Sequence, residues 1–113
     1  MTSLPLWAAV LAGAALAAAP VVTLAATARA PAVHVVTIQR MAFGPAPAGL
    51  RVGDTIEWVN NDIFLHSATA KDRNFDVELK PKTHVRVVLT RPGTIPFSCR
   101  YHPGMTGALV VAK

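Results

Sequence analysis

The chain has 113 residues, a formal net charge of +5 and one cysteine. One cysteine rules out an internal disulfide, and basic residues are not interleaved with aromatic ones, so nucleic acid is not expected as a partner. The length allows a single domain, and the positive charge favours encounters with acidic proteins or anionic surfaces.

The N-terminal segment differs from the rest in composition. Residues 2–28 contain no charged side chain, whereas all 11 Lys and Arg and all 6 Asp and Glu stand at or after Arg29. The segment is apolar and ends in small residues, which offer cleavage sites at Ala26-Thr27-Ala28 or Ala28-Arg29-Ala30. Pro31 directly follows the second site and makes the first one preferable.

We therefore predict that residues 1–30 are a signal peptide for export to the periplasm. An uncleaved membrane anchor is the alternative, because the apolar run approaches the ~20 residues that span a bilayer. Residues 31–113 are assigned to the folded domain, for which no membrane contact is expected unless the anchor is retained. A domain of about 80 residues is marginal on core burial alone, so a bound metal is expected to add stability.

Short strands separated by Pro and Gly follow along the domain. Strands are predicted, in chain order, over residues 33–40, 50–52, 55–60, 84–90, 94–99 and 107–112, where apolar and polar side chains alternate. The stretch 44–49 and the turns at Gly53-Asp54 and at residues 91–93 separate them. No window has sustained helical periodicity, so the pattern predicts an all-β sandwich or barrel.

Three residues that bind soft metals lie in one short loop. Cys99, His102 and Met105 are spaced as Cys-x-x-His-x-x-Met, and Pro103 and Gly104 bend the chain between the last two. A thiolate, an imidazole and a thioether favour copper, and two histidines and a cysteine with a weak axial methionine form the electron-transfer type of copper site.

His66 is the candidate for the second histidine, since it follows the strand that ends in Trp58-Val59-Asn60. The sequence thus predicts one copper ion bound by His66, Cys99, His102 and Met105. Four protein ligands leave no evident position for a substrate, so we predict an electron carrier and not an enzyme.

The stretch from Gly53 to Asn60, His66 and the loop from Cys99 to Met105 resemble the cupredoxins, the blue (type 1) copper proteins. The two-residue gap between His102 and Met105 is similar to that of amicyanin and shorter than that of plastocyanin. The resemblance implies a Greek-key β-sandwich with copper near one end and the edge of His102 at the surface. It also implies that Asn60 ties the two ligand loops together through hydrogen bonds.

The same resemblance implies redox proteins as partners, such as a c-type cytochrome or a periplasmic dehydrogenase, and the protein is expected to be a monomer. An apolar patch around His102 is predicted from Met41, Phe64, Leu65 and Pro103. Basic residues that could steer an acidic partner are Lys71, Arg73, Lys80, Lys82 and Arg100. His34 and His84 are interpreted as surface or strand-edge residues.

Two other functions compete with electron transfer. The protein could handle copper, by delivery or sequestration, without redox turnover. Such sites commonly use Met-rich or His-rich tracts, and the sequence has none. A zinc site is less favourable, because catalytic zinc needs three strong ligands and an open water position.

Overall fold

The computed structural model describes residues 2–5, 10–21 and 29–113. Within these residues it has no helix, and all regular structure is β, as predicted. The strands are β1 (Val33–Gln39), β2 (Ala42–Phe43), β3 (Leu50–Arg51), β4 (Thr55–Asn60), β5 (His66–Ala70), β6 (Asp76–Leu79), β7 (His84–Val88), β8 (Gly93–Ser98) and β9 (Thr106–Ala112).

The strands form two sheets that pack face to face. A four-stranded sheet has the order β2-β1-β4-β7, and a five-stranded sheet has the order β3-β9-β8-β5-β6. The pairs β1–β4 and β3–β9 are parallel, whereas β5 pairs antiparallel with both β6 and β8. The chain crosses between the sheets several times, which gives the predicted Greek-key sandwich.

The core lies between the sheets and follows the alternation in the sequence. Val36 and Ile38 of β1 and Ile56 and Trp58 of β4 are buried against the inner residues of β8 and β9. The Trp58 ring lies 5.0 Å from that of Phe97, measured between ring centroids, in an edge-on arrangement. Burial of each such side chain contributes about 1.5–3 kcal/mol to the stability of the fold.

Three strands were not predicted from the sequence: β2, β5 and β6. Every residue of β5, His66–Ala70, is buried, although its sequence is His-Ser-Ala-Thr-Ala. Because β5 is buried on both faces and contains small polar residues, its sequence does not alternate between apolar and polar side chains. The strand therefore could not be recognised from periodicity. From the sequence His66 was placed only after the strand that ends at Asn60, and it is the first residue of β5.

The N-terminal segment is described only in part. Residues 2–5 and 10–21 form neither helix nor strand, and in the described parts of the chain no helix is long and apolar enough to cross a membrane. Most of the predicted cleavage region, residues 22–28, lies outside the described residues. The division between a leader and a domain at residue 30 therefore stays a prediction.

Candidate metal centre

The four predicted ligands come from two neighbouring strands and one loop. His66 begins β5, and Cys99 directly follows β8. Because β5 and β8 are paired antiparallel through Thr69 and Ser98, the two residues meet at one end of the five-stranded sheet. The loop to β9 then folds back, since Cys99 N–H donates to the Met105 carbonyl at 3.1 Å and Met105 N–H donates to that of His102 at 2.9 Å.

Three donor atoms converge in this place. The Nδ1 atoms of His66 and His102 are 3.2 Å apart, and the Cys99 Sγ lies 3.9 Å from the first and 3.6 Å from the second. His66, Cys99 and Met105 are buried, whereas His102 is half-buried. Met105 is buried in the same core cluster as Cys99.

The triangle fits one metal ion. For bonds of about 2.0 Å to nitrogen and about 2.3 Å to sulfur, as known for zinc, the donor atoms of a trigonal site are roughly 3.5–3.8 Å apart. The observed separations, 3.2 to 3.9 Å, span those values. Thiolate, imidazole and thioether donors are the set that favours copper.

The two ligand strands are connected through Ser67. Its backbone N–H donates to the Cys99 Sγ at 3.4 Å, and its hydroxyl accepts a hydrogen bond of 2.8 Å from Arg100 N–H. An N–H donor stabilises negative charge on the sulfur, and the second bond fixes the backbone that follows the cysteine. The spatial relation of Cys99 to His66 is therefore set by the sheet and not by side-chain packing alone.

Sequence reasoning did not identify Asp62, which contacts His66 at Nε2, the ring nitrogen that does not point at Cys99 and His102. His66 Nε2–H donates to Asp62 Oδ2 at 2.8 Å. Metal-binding histidines commonly donate their second N–H to a carboxylate or carbonyl, but in a loop of unknown path this rule does not say which acidic residue is meant.

The Asp62 carboxylate also accepts hydrogen bonds from the backbone N–H groups of Arg40, at 2.8 Å, and Met41, at 3.0 Å. Burial raises the pKa of Asp62, but the hydrogen bonds from Met41, His66 and Arg40 together outweigh it, and the pKa lies below its ordinary value. Asp62 is therefore a carboxylate at neutral pH.

The expectation for Asn60 was wrong in part. Its amide donates to the carbonyls of Phe64, at 2.8 Å, and Leu79, at 2.9 Å, and its Oδ1 accepts from Asp62 N–H at 2.9 Å. Asn60 thus orders the loop before His66, but among the described residues it makes no hydrogen bond to the loop of residues 99–105. It lies at the end of β4 in the opposite sheet, and Ser67 provides the connection between the ligand loops.

The predicted apolar residues are exposed, and one of them, Phe64, lies beside His102. Phe64 is 50% exposed, Met41 37% and Leu65 36%. The ring centroids of Phe64 and His102 are 6.5 Å apart. Pro103 is exposed as well. The structure adds two residues that the sequence did not indicate, Ile63 and Tyr101, which are also exposed.

The other two histidines lie elsewhere. His84 is an exposed residue of β7 and its Nδ1 is 2.8 Å from Glu57, in agreement with a surface role. His34 is half-buried near the start of β1, and its Nε2 is 3.1 Å from the buried carboxylate of Asp54. Neither belongs to the group of residues that could hold a metal ion.

Comparison with known proteins agrees with the fold and the site. The family model described as cupredoxin-like domain matches residues 6–111, so the chain belongs to the cupredoxin-like family. The predicted family is thereby confirmed.

Solved structures similar to this chain include amicyanins. A reduced amicyanin with a Trp-to-Tyr substitution is 25% identical, with 70% of this chain and 81% of that chain covered and a TM-score of 0.60. The Cu(I) form of an amicyanin with a Met-to-Ala substitution is 26% identical, with coverage of 75% and 86% and a TM-score of 0.60.

A copper-containing nitrite reductase from Thermus scotoductus is also similar, at 28% identity and a TM-score of 0.63. Its alignment covers 74% of this chain and only 23% of the enzyme. The chain therefore corresponds to a small part of that protein.

Proposed function

We propose that this protein binds one copper ion through His66, Cys99, His102 and Met105 and transfers single electrons between redox proteins. The observation that carries the proposal is the convergence of the two Nδ1 atoms and the Cys99 Sγ, with all three separations between 3.2 and 3.9 Å. Membership of the cupredoxin-like family and the similarity to amicyanins support it.

Each residue has a distinct role in this proposal. Cys99 would hold the ion through its thiolate and His66 and His102 through their Nδ1 atoms, and Met105 would add a weaker thioether donor. Bound copper would supply a one-electron couple between Cu(I) and Cu(II). The protein contributes rigidity, since the ligands are held by paired strands and by the hydrogen bonds of Ser67 and Met105, and a fixed geometry keeps reorganisation small.

The site favours a carrier over an enzyme. Cys99 and His66 are buried, and four protein donors leave no position at which a substrate could bind the metal. The similarity to a nitrite reductase does not argue against this, because the alignment covers only 23% of that enzyme.

Electrons would leave and enter at the half-buried edge of His102. The patch of Met41, Ile63, Phe64, Leu65, Tyr101 and Pro103 would let a partner approach closely and exclude water from the contact. Exposed apolar groups clustered at one place commonly mark an interaction surface.

Charge indicates the kind of partner. Lys71, Arg73 and Arg100 line a cleft of about 410 Å³ near the end of β8, and Asp76 accepts from both arginines, at 3.4 and 3.2 Å. Together with the net charge of +5, this basic cleft would steer an acidic face of a c-type cytochrome or a periplasmic dehydrogenase. A monomer exported to the periplasm by its N-terminal segment completes the proposal.

Arg29 is relevant to the cleavage site. Its Nη2 donates to Asp54 Oδ2 at 2.8 Å, so the side chain is part of the folded domain. Cleavage after Ala28 would retain this bond, whereas cleavage after Ala30 would remove it. The first site is therefore the one that we propose.

Electron transfer is tested by stopped-flow mixing of the reduced, copper-loaded protein with an oxidised c-type cytochrome at several ionic strengths. We expect second-order transfer that slows as salt increases, and a decrease of about tenfold or more for Phe64→Ala, as for an interface hot spot. Val110→Ala is the matched control, because Val110 is 67% exposed on β9 and away from the patch, and its rate should equal that of the wild type.

Two outcomes would contradict the carrier function. One is the absence of electron transfer at every ionic strength. The other is transfer of the bound copper to a chelator within minutes, which would favour copper delivery or sequestration instead.

A further inference from the structure

The turn between β1 and β2 has an unusual backbone. Its two central residues, Arg40 and Met41, have φ values of 53° and 60°, and the flanking pairs are Gln39 with Ala42 and Ile38 with Phe43. This is a two-residue hairpin turn of the left-handed type, in which Asn-Gly or Gly-Gly is the usual sequence. Residues with a Cβ are disfavoured in this region of backbone conformation, so the turn is strained.

The strained turn points both of its N–H groups at one carboxylate. Arg40 N–H donates to Asp62 Oδ1 at 2.8 Å, and Met41 N–H donates to Asp62 Oδ2 at 3.0 Å. Successive N–H groups in such a turn form a concave anion site. The Asp62 side chain is only 12% exposed, and its own N–H is bound to Asn60 Oδ1, so the carboxylate is fixed from several sides.

The fixed carboxylate determines the state of His66. Because Asp62 Oδ2 can only accept, the 2.8 Å contact requires the proton of His66 on Nε2. In the neutral ring Nδ1 then carries a lone pair, and this atom faces His102 Nδ1 at 3.2 Å and Cys99 Sγ at 3.9 Å. The imidazole is buried completely, so no water molecule competes for Nε2.

We propose that Asp62, held by the Arg40–Met41 turn, is a positioning residue that selects the metal-binding tautomer of His66 and lowers the reduction potential of the copper. The second part rests on the proposed function. A negative charge behind one ligand stabilises Cu(II) more than Cu(I), since the attraction grows with the charge of the ion. The strain in the turn is the cost of placing two N–H donors at this carboxylate.

Asp54 offers a matched control in the same chain. Its carboxylate also accepts from two backbone N–H groups, those of Ala32 at 2.9 Å and Arg51 at 3.1 Å, and it contacts His34 Nε2 at 3.1 Å. It precedes β4, whereas Asp62 follows it, which puts roughly 17–20 Å of strand between them. Because the interaction between two charges weakens as their separation grows, the field of Asp54 at the metal site is much smaller than that of Asp62, which touches a ligand.

The first experiment measures copper affinity and reduction potential for Asp62→Asn and Asp54→Asn. For Asp62→Asn we expect a 10- to 100-fold loss of Cu(II) affinity, the usual effect of removing a partner of a ligand. If the loss of Cu(I) affinity is ten times smaller than the loss of Cu(II) affinity, the reduction potential of the copper rises by about 59 mV. Asp54→Asn should leave both values near those of the wild type, and equal shifts in the two variants would overturn the tuning role.

The second experiment uses the wild-type protein without copper, so it does not depend on whether a variant folds. Nitrogen-15 NMR of the metal-free wild-type protein at about pH 8, where imidazole is neutral, reports which ring nitrogen of His66 carries the proton. A protonated Nε2 is expected, and a protonated Nδ1 would overturn the proposal even if the protein binds copper. Because this readout is independent of the metal, a failure of copper binding is distinguished from a failure of the Asp62 contact.

Discussion

At the level of single residues, the two aspartates that flank β4 use the same chemistry for different purposes. Asp62 acts on a predicted metal ligand, whereas Asp54 binds Arg29, Ala32, His34 and Arg51 and closes the domain where its first strand begins. The side chain of Asp54 is buried, and a buried carboxylate is stable only when donors of this kind surround it.

Asp54 makes the stability of the fold sensitive to acid. The hydrogen bond from Arg29, followed by that from Ala32 N–H, holds the pKa of Asp54 well below its ordinary value. In the unfolded chain this carboxyl binds a proton near pH 4. The stability that the ionised group provides is therefore complete above that pH and is lost as pH falls further toward the folded pKa.

We expect urea unfolding of the metal-free protein to show a lower unfolding free energy at pH 3 than at pH 5. In Asp54→Asn this difference between the two pH values should be smaller, because the titrating group is gone. An equally large difference in the variant would show that Asp54 is not responsible.

At the level of elements, the contact between β8 and β9 limits what the core can accept. A Cβ placed on Gly107 of β9 would lie 2.4 Å from Cζ of Phe97 on β8. The Phe97 ring cannot move freely, since it packs edge-on against Phe43, at 4.8 Å, and Trp58, at 5.0 Å, between ring centroids.

Gly107→Ala is therefore expected to lower the unfolding free energy by about 1–3 kcal/mol, as overpacking of a core does. Gly104→Ala is the control, because a Cβ at that position meets no atom within 4 Å and the glycine has no positive φ. Chemical denaturation of both variants without metal gives the comparison, and a neutral Gly107→Ala would mean that the ring adjusts at little cost.

Strands with strict alternation were predictable from the sequence, and those without it were not. Val36 and Ile38 in β1 and Ile56 and Trp58 in β4 point to the core as their spacing requires. In β5 the polar residues Ser67 and Thr69 are also buried. Their hydroxyl groups are satisfied by hydrogen bonds to each other and to neighbouring segments. Such burial depends on tertiary contacts and has no periodic signature.

In the candidate site, too, some residues could be predicted from the sequence and others could not. Cys99, His102 and Met105 lie within one short loop, so their spacing alone indicated a metal site, and His66 completed the set. Asp62 and Ser67 act through contacts between segments distant in sequence, Asp62 with Arg40 and Met41 and Ser67 with Cys99. Those contacts depend on the register of the strands and on the strained turn, which composition and spacing do not define.

At the level of the whole molecule, one end of the sandwich combines buried sulfur and imidazole donors, an exposed apolar patch and an adjacent basic cleft. The donors suit a metal that changes its charge by one, the patch suits close approach, and the basic residues suit an acidic partner. The interpretation of these features as parts of an electron carrier requires that the four residues bind copper together.

That claim is tested by optical absorption and EPR spectroscopy of the purified domain during titration with Cu(II), with Cys99→Ser and His84→Gln as comparison variants. An intense blue band with narrow copper hyperfine splitting should reach its maximum at one equivalent. It should be lost in Cys99→Ser and retained in His84→Gln, which removes only an exposed histidine. A pale, ordinary Cu(II) spectrum that Cys99→Ser does not change would contradict the proposed site.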